Sequence, residues 1–285
     1  MSTSPITIQA GDLTATFADN EAYGPVHSQK YNGISELRHV SATDNLFVPD
    51  YAGFNLEHFF GGDLLEELFE PRLCPMVLTQ LDARSVRLHQ APTPISKVES
   101  ETVFTVVPPH FIDVEVKVVF HDLAEFSHGY AGVFWASYIN LPEDRHIYFF
   151  GTSPDNPEPH WISAFSEKHG VKSTHLHVDD TFQPYFAPDF NAVLASHFSD
   201  YRYVEPFYYG RRGDMVYAIF FDRTEGIRFS QSPTGGGHTN PAWDHQLVVP
   251  DPKIGTPYSY RARLMYKPWV SNEDVRETFQ AWWKK

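Results

Sequence analysis

Glu57 and His58 stand side by side in the run YAGFNLEHFFGGD, among Phe54, Phe59 and Phe60 and just ahead of Gly61 and Gly62. A carboxylate and an imidazole are the groups that general acid–base chemistry uses, and an aromatic pocket wall with one polar group fixes a ligand's orientation. Neighbouring residues of a strand point to opposite faces. A regular strand therefore sends only one of the pair into a cleft: His58 is expected to face it and Glu57 to support the scaffold behind.

His89, Glu99, Glu205, His238 and Asp244 extend the set of acid–base candidates. Glu205 lies in YRYVEPFYYGRRGD, among Tyr201, Tyr203, Phe207, Tyr208 and Tyr209. Apolar surroundings disfavour its charged form and raise its pKa, whereas Arg211 or Arg212 would hold it ionised in a structural ion pair. The working assignment makes His58 and His89 donors or orienting groups and Glu99 or Glu205 the base. Arg211 clamps a hydroxyl or carboxylate, Trp243 stacks on the substrate, and Tyr208, His238 and Asp244 stand beside it.

A metal centre is the competing chemistry. In THLHVDD, His175 and His177 are two apart, so both point to one face of a strand and could share a Zn, Cu, Mn or Fe ion. The third ligand would be His58, His89 or a carboxylate. The plainer reading is a polar strand face ahead of a solvated turn at Asp179 and Asp180. The acid–base reading needs no cofactor; the metal reading needs a divalent ion.

FSQSPTGGGHTNPAWDHQ, residues 229–246, matches neither the P-loop nor the dinucleotide fingerprint. It reads as a flexible loop carrying His238, Asn240, Trp243 and Asp244 over a pocket, or as a long hairpin.

The elements that must position these groups are strands. Short runs rich in Val, Ile, Phe, Tyr and Thr, bounded by Gly, Pro, Asp or Asn, recur along the chain, among them SVRLHQ, YAGVFWASYIN and MVYAIFFD. The expected fold class is all-β, a large antiparallel β-sandwich with a few short peripheral helices. DLLEELFEP (63–71) reads as a short helix stopped by Pro71, and APDFNAVLASHFSD holds a helical turn. VSNEDVRETFQAWWKK reads as a C-terminal helix over about 271–285, capped by Ser271 or Asn272, with Val275, Phe279 and Trp282 on its docking face. With no repeat and no convincing linker, residues 1–285 are expected to form one domain.

Composition sets limits. Hydrophobic residues make up 42% and aromatic residues 15%, too much apolar material for a disordered chain. A net charge of −14, with no basic cluster, repels nucleic-acid phosphates and anionic membranes, so neither is expected as a partner. Cys74 is the only cysteine, which rules out an intrachain disulfide and a thiolate zinc site. The start, MSTSPITIQAGDLTATF, has no signal-peptide pattern and no run is long enough to span a bilayer. The chain reads as soluble and cytoplasmic, as would a secreted one after trimming.

Trp135, Tyr138, Trp161, Tyr208 and Trp243 occur beside turn residues and acids. A sugar ring offers an apolar C–H face and a rim of hydroxyls, which suits aromatic platforms flanked by hydrogen-bonding groups. Trp135, inside an apolar run, is expected in the core. A mono- or oligosaccharide is the expected ligand.

KYNGISELRH and the strand count resemble the galactose-mutarotase-like group of β-supersandwich proteins, and WASYINL (135–141) is similar to the mutarotase run Asn-His-Ser-Tyr-Phe-Asn-Leu. The resemblance implies a sugar mutarotase or epimerase, a polysaccharide lyase or a glycoside hydrolase. Ala136 stands where that motif has its proton-donating histidine, so His146 or His89 would have to serve instead. NLFVPDYAGFNLEH and GGGHTNPAWD resemble runs in bacterial proteins that carry no function with them. The alternatives are a non-catalytic carbohydrate-binding protein and a metal-dependent enzyme centred on His175 and His177.

Overall fold

The computed structural model describes residues 5–21, 31–63 and 67–284. Its strands in chain order are β1 (Ile6–Ala10), β2 (Leu13–Ala18), β3 (Gly33–His39), β4 (Asn55–Phe60), β5 (Val77–Gln80), β6 (Ser85–Gln90), β7 (Val98–Val107), β8 (Phe111–Phe120) and β9 (Tyr130–Ala136). They continue as β10 (Ile147–Ser153), β11 (Asn156–Ala164), β12 (Thr174–His177), β13 (Phe198–Tyr203), β14 (Phe207–Arg212), β15 (Met215–Phe221), β16 (Ile227–Ser232), β17 (Ala242–Pro250) and β18 (Pro257–Pro268). Three α-helices accompany them among the described residues: α1 (Glu70–Leu73), α2 (Val193–Ser196) and α3 (Asn272–Trp283).

One continuous sheet runs β4-β9-β17-β16-β12-β13-β10-β14-β15-β18-β8-β7-β6-β5, with β11 on β10, and β1-β2-β3 form a separate sheet. The pairings are antiparallel except β12 with β13. The long sheet folds over itself. Side chains from strands far apart in its order meet face to face: Trp135 of β9 lies 5.5 Å from Tyr260 of β18, and Tyr217 of β15 is 6.5 Å from Trp243 of β17. His245 Nε2 and the Tyr260 hydroxyl, 2.7 Å apart, make a polar contact inside the same core. The result is the expected all-β sandwich with short peripheral helices. Alternation explains the packing: the β7 residues are buried and half-buried in strict turn, as a strand with one core face requires. Trp135, 1% exposed, is in the core as its apolar run implies.

The helices differ in how well local sequence announces them. For α3, Ser271 Oγ accepts from Asp274 N–H at 3.1 Å, Glu273 and Asp274 occupy the first turn, and Val275 and Phe279 are buried. The helix expected over 63–71 is misplaced: α1 begins at Glu70, and Pro71 lies in its first turn instead of ending it. Proline is tolerated there because the first N–H groups have no partner within the helix. Leu64 and Leu65 of that expectation lie outside the described residues. No helix among the described residues is long and apolar enough to cross a membrane.

Candidate active site

β17 divides its side chains between two faces. Trp243 and His245 enter the core, where His245 stacks on Trp135 at 5.2 Å, while Ala242 and Asp244 face away from it. On the neighbouring β9, Phe134 and Ala136 share that outer face, as does Ser232 of β16. These residues line a cavity of about 200 Å³, closed on its far side by Asn191–Ala195 and at one edge by Leu68, Phe69 and Arg72. Ala136, the position that lacks the resembling motif's histidine, is part of the wall.

Glu57 and His58 both line this cavity, against the expectation that alternation separates them. The pairing of β4 with β9 explains it. Leu56 lies opposite Trp135 and His58 opposite Phe134, so two steps on β4 match one on β9 and Glu57 is an extra residue. Such a bulge bends the strand and re-aims a side chain.

Glu57 is the centre of a buried polar network. Its Oε1 accepts from the Tyr138 hydroxyl at 2.6 Å and from Arg72 Nη1 at 3.2 Å. Arg72 in turn lies over the Tyr31 ring, 3.9 Å from its centroid. Burial pushes the Tyr31 phenol up to about 12, against the pull of Arg72, and burial raises Tyr138 further. Both phenols are therefore donors at neutral pH, and Glu57 is an acceptor held in one orientation.

His58 lies between Phe69 and Phe134, with ring centroids at 5.0 and 5.4 Å. Burial lowers its pKa, partly offset by the Glu57 charge. Its Nδ1 is 2.6 Å from Leu68 O. A carbonyl oxygen only accepts, so Nδ1 carries the proton and Nε2 is the basic nitrogen of a neutral ring. Asp244 has the opposite character. Burial first, then the Glu57 charge, raises its carboxyl well above the ordinary aspartate range, opposed by Ser137 N–H donating to Oδ1 at 3.0 Å. Its Oδ2 is buried with no partner. The cavity thus holds an imidazole whose charged form burial disfavours and a carboxyl whose protonated form burial favours.

The other sequence candidates are elsewhere. Glu205 is held by Arg276 of α3 through Nε at 2.8 Å and Nη2 at 3.0 Å, with Gln280 adding a bond at 3.1 Å. The ion pair expected with Arg211 or Arg212 is made instead by a helix 71 residues further on, which only the docking of α3 could reveal. Glu99 on β7 sits between His89 Nε2 and His121 Nε2, each at 2.9 Å, and this surface trio is not part of the cavity. The hydrogen bond from His89 is the main cause holding Glu99 below its usual range. His146 pairs with Asp144 at 2.7 Å, also away from the cavity.

Trp243 cannot be a platform for a ligand in this arrangement. It is fully buried, with its ring over Gly210, where an added Cβ would come within 2.3 Å of it. Tyr208 is equally buried and donates to Trp243 O at 3.1 Å. Arg211 lies 5.1 Å over the Trp269 ring and His238 is an exposed residue of the 233–241 loop. That loop carries His238 and Asn240, but Trp243 and Asp244 belong to β17, whose ladder to β16 starts at Ala242.

His175 and His177 do share strand β12 without converging on a third ligand. His175 is 1% exposed, its Nε2 is 3.2 Å from the Gln231 amide nitrogen, and burial lowers its pKa to about 3. His177 packs on Tyr203 at 5.2 Å. Among the described residues no three His, Cys, Asp or Glu side chains gather as a metal would require.

Sequence reasoning missed Arg72, Ser232 and His169 as cavity residues, and His169 meets Ser232 Oγ through Nδ1 at 2.9 Å. Burial lowers the His169 pKa, with Glu57 opposing. Arg72 was foreseeable in kind: a carboxylate inside an aromatic patch needs a cationic or hydroxyl partner.

No family model and no curated protein matches the sequence. Solved structures do. A protein of Escherichia coli K12 described as a candidate aldose 1-epimerase superposes with a TM-score of 0.54 at 11% identity, over 93% of this chain and 99% of that one. A GalM/aldose epimerase homologue from C. elegans gives 0.53 at 9% identity, over 94% and 100%. The alpha-N-acetylgalactosaminidase NagBb from Bifidobacterium bifidum gives 0.53 at 9% identity, over 97% of this chain and 38% of that one. The chain has the fold of these proteins, the galactose-mutarotase-like sandwich.

Proposed function

We propose that this protein is a carbohydrate-active enzyme that interconverts the anomers of an aldose, with His58 and Asp244 as its acid–base pair. In the forward step His58 Nε2 takes the proton of the anomeric hydroxyl, the bond from C1 to the ring oxygen breaks, and Asp244 delivers its proton to that oxygen. Rotation about the C1–C2 bond and the reverse transfers give the other anomer. On closure the imidazolium returns its proton to the C1 oxygen and the Asp244 carboxylate takes the proton of the ring-forming hydroxyl, so both groups end as they began.

The observation that carries the reading is the unpartnered, buried Oδ2 of Asp244 in the same cavity as His58. The cavity's size supports a single ring: about 200 Å³ is below the range of about 300–1,000 Å³ usual for drug-sized ligands. Two solved structures of matching length are described as aldose epimerases, which favours this chemistry over elimination or hydrolysis. Glu57, fixed by Tyr138 and Arg72, would hold a sugar hydroxyl. We read residues 1–285 as one domain, because the strands of the long sheet are drawn from residue 55 to residue 268 without a separable break.

Polarimetry of freshly dissolved α-D-galactose and α-D-glucose tests this. The protein is expected to speed the approach to anomeric equilibrium beyond buffer alone, and His58→Ala and Asp244→Asn each to lower that rate by about 10²–10⁴. Folded His58→Ala protein with full activity removes His58 from the mechanism. Sugars that raise the melting temperature without any faster mutarotation would make the protein a carbohydrate binder instead.

A further inference from the structure

A row of hydrogen-bonding atoms without partners lies on one face of β16 and β17. Asp244 and Gln246 are alternate residues of β17, Arg228 of β16 lies opposite Gln246, and Phe134 of β9 flanks Gln246 on its other side. Asp244 Oδ2, both polar atoms of the Gln246 amide and Arg228 Nη1 are buried and unpaired. Asp244 and Gln246 are 0% exposed and Arg228 is 1% exposed. Leaving a buried polar group unpaired is unfavourable, because it has given up its hydrogen bonds to water for nothing. Such atoms occur elsewhere among the described residues, and these four are set apart by lying side by side on paired strands between two hollows.

The row joins two hollows. Asp244 is in the floor of the cavity described above, while Arg228 and Val248 line a second hollow of about 310 Å³ with Leu247, Val249 and Tyr258. Gln246 stands between them. The cover over this stretch includes residues 181–192, which form neither helix nor strand; Asn191 and Ala192 touch the first hollow and Phe182 the second. This segment rests on the sheet largely through rings: Phe190 is 5.9 Å from Phe60, and Phe182 and Phe186 are 6.1 and 5.8 Å from Tyr130. Tyr130 adds a hydrogen bond to Tyr185 O at 3.2 Å, and Arg228 Nη2 one to Phe182 O at 2.9 Å. Ring contacts are non-directional and re-form after displacement more readily than a strand ladder does.

We propose that the binding cleft continues from the cavity beneath residues 181–192 to the second hollow, and that Gln246 and Arg228 bind the second ring of a reducing disaccharide. Its anomeric ring occupies the cavity, so the proposal rests on the epimerase reading. An amide and a guanidinium supply the donors and the acceptor that ring hydroxyls need, and the apolar side chains of the second hollow face the C–H surface. The segment lifts to admit the second ring, whose hydroxyls then pair the orphaned atoms.

The test compares kcat/KM for mutarotation of lactose and maltose with that for galactose and glucose. A disaccharide is expected to be preferred at least 10-fold, and Gln246→Leu to bring that ratio to about one. A wild-type ratio near one overturns the extended cleft while leaving the single-ring reading in place. A preference that survives in Gln246→Leu, with a higher melting temperature, overturns it too and assigns the row to ordered water. Failure to epimerise any of the four sugars sinks the epimerase reading and this proposal with it. Should Gln246→Leu not fold, hydrogen exchange on the wild-type protein decides. Residues 181–192 must change their exchange rate with the preferred disaccharide and not with its monosaccharide, and equal rates overturn the proposal.

Discussion

Tyr138 donates its hydroxyl proton to Glu57 across 2.6 Å, tying the strap after β9 to the bulge of β4. The pair fixes a carboxylate whose side chain is only 8% exposed, with Arg72 Nη1 as its second partner at 3.2 Å. Glu57 is thus held by groups from two other parts of the chain. That is why an acid can stand next to His58 in apolar surroundings.

Tyr138→Phe keeps the ring and removes only the donor. A hydrogen bond to a charged, buried acceptor contributes about 1.5–3 kcal/mol, and the variant is expected to lose that much in a urea unfolding series. A loss below about 0.5 kcal/mol would mean that Arg72 alone satisfies the carboxylate.

Stability should depend on pH in two opposed ways. Burial depresses the pKa of His58, and takes His175 and His245 to about 3, all below the usual 6.5 of the unfolded chain. Unfolding therefore takes up protons below pH 6.5, and stability falls as pH drops toward 3 by about 1.4 kcal/mol per pH unit for each of His175 and His245, while His58 adds to the fall below 6.5. Asp244 has the reverse sign: its folded pKa is raised above 3.8, so its contribution is full below that value and is lost as pH rises. Asp244→Asn keeps a neutral side chain at every pH. Its stability relative to the wild type should grow from pH 4 to pH 8, and a pH-independent difference would mean that Asp244 ionises normally.

Glu205 should matter to folding and not to turnover. Its two bonds to Arg276 and one to Gln280 tether α3 to the turn between β13 and β14. The Arg276 side chain is 34% exposed, so solvent screens the pair and the loss in Glu205→Gln should be modest, about 1 kcal/mol. Thermal unfolding and polarimetry on the same sample check this. A fall in mutarotation rate at unchanged stability would restore Glu205 to the chemistry.

The sandwich could be read from the chain because its signal is local: apolar alternation with turn residues at the ends of each run sets the strands, and Ser271 with Glu273 and Asp274 sets the start of α3. Trp243 and Asp244 obey that same rule, since neighbours in a regular strand point to opposite faces, and here one is core and the other cavity. Glu57 shows where it fails, because the bulge opposite Phe134 depends on how β4 pairs with a strand more than seventy residues away. Pairings of that kind carry no local signature: Glu205 meets Arg276 only once α3 has docked, and Asp244 shares a cavity with His58 only because β9 pairs with both β17 and β4. Residue types and strands are properties of short stretches of sequence, while which acid stays charged and which keeps its proton follows from burial and from partners that distant segments bring.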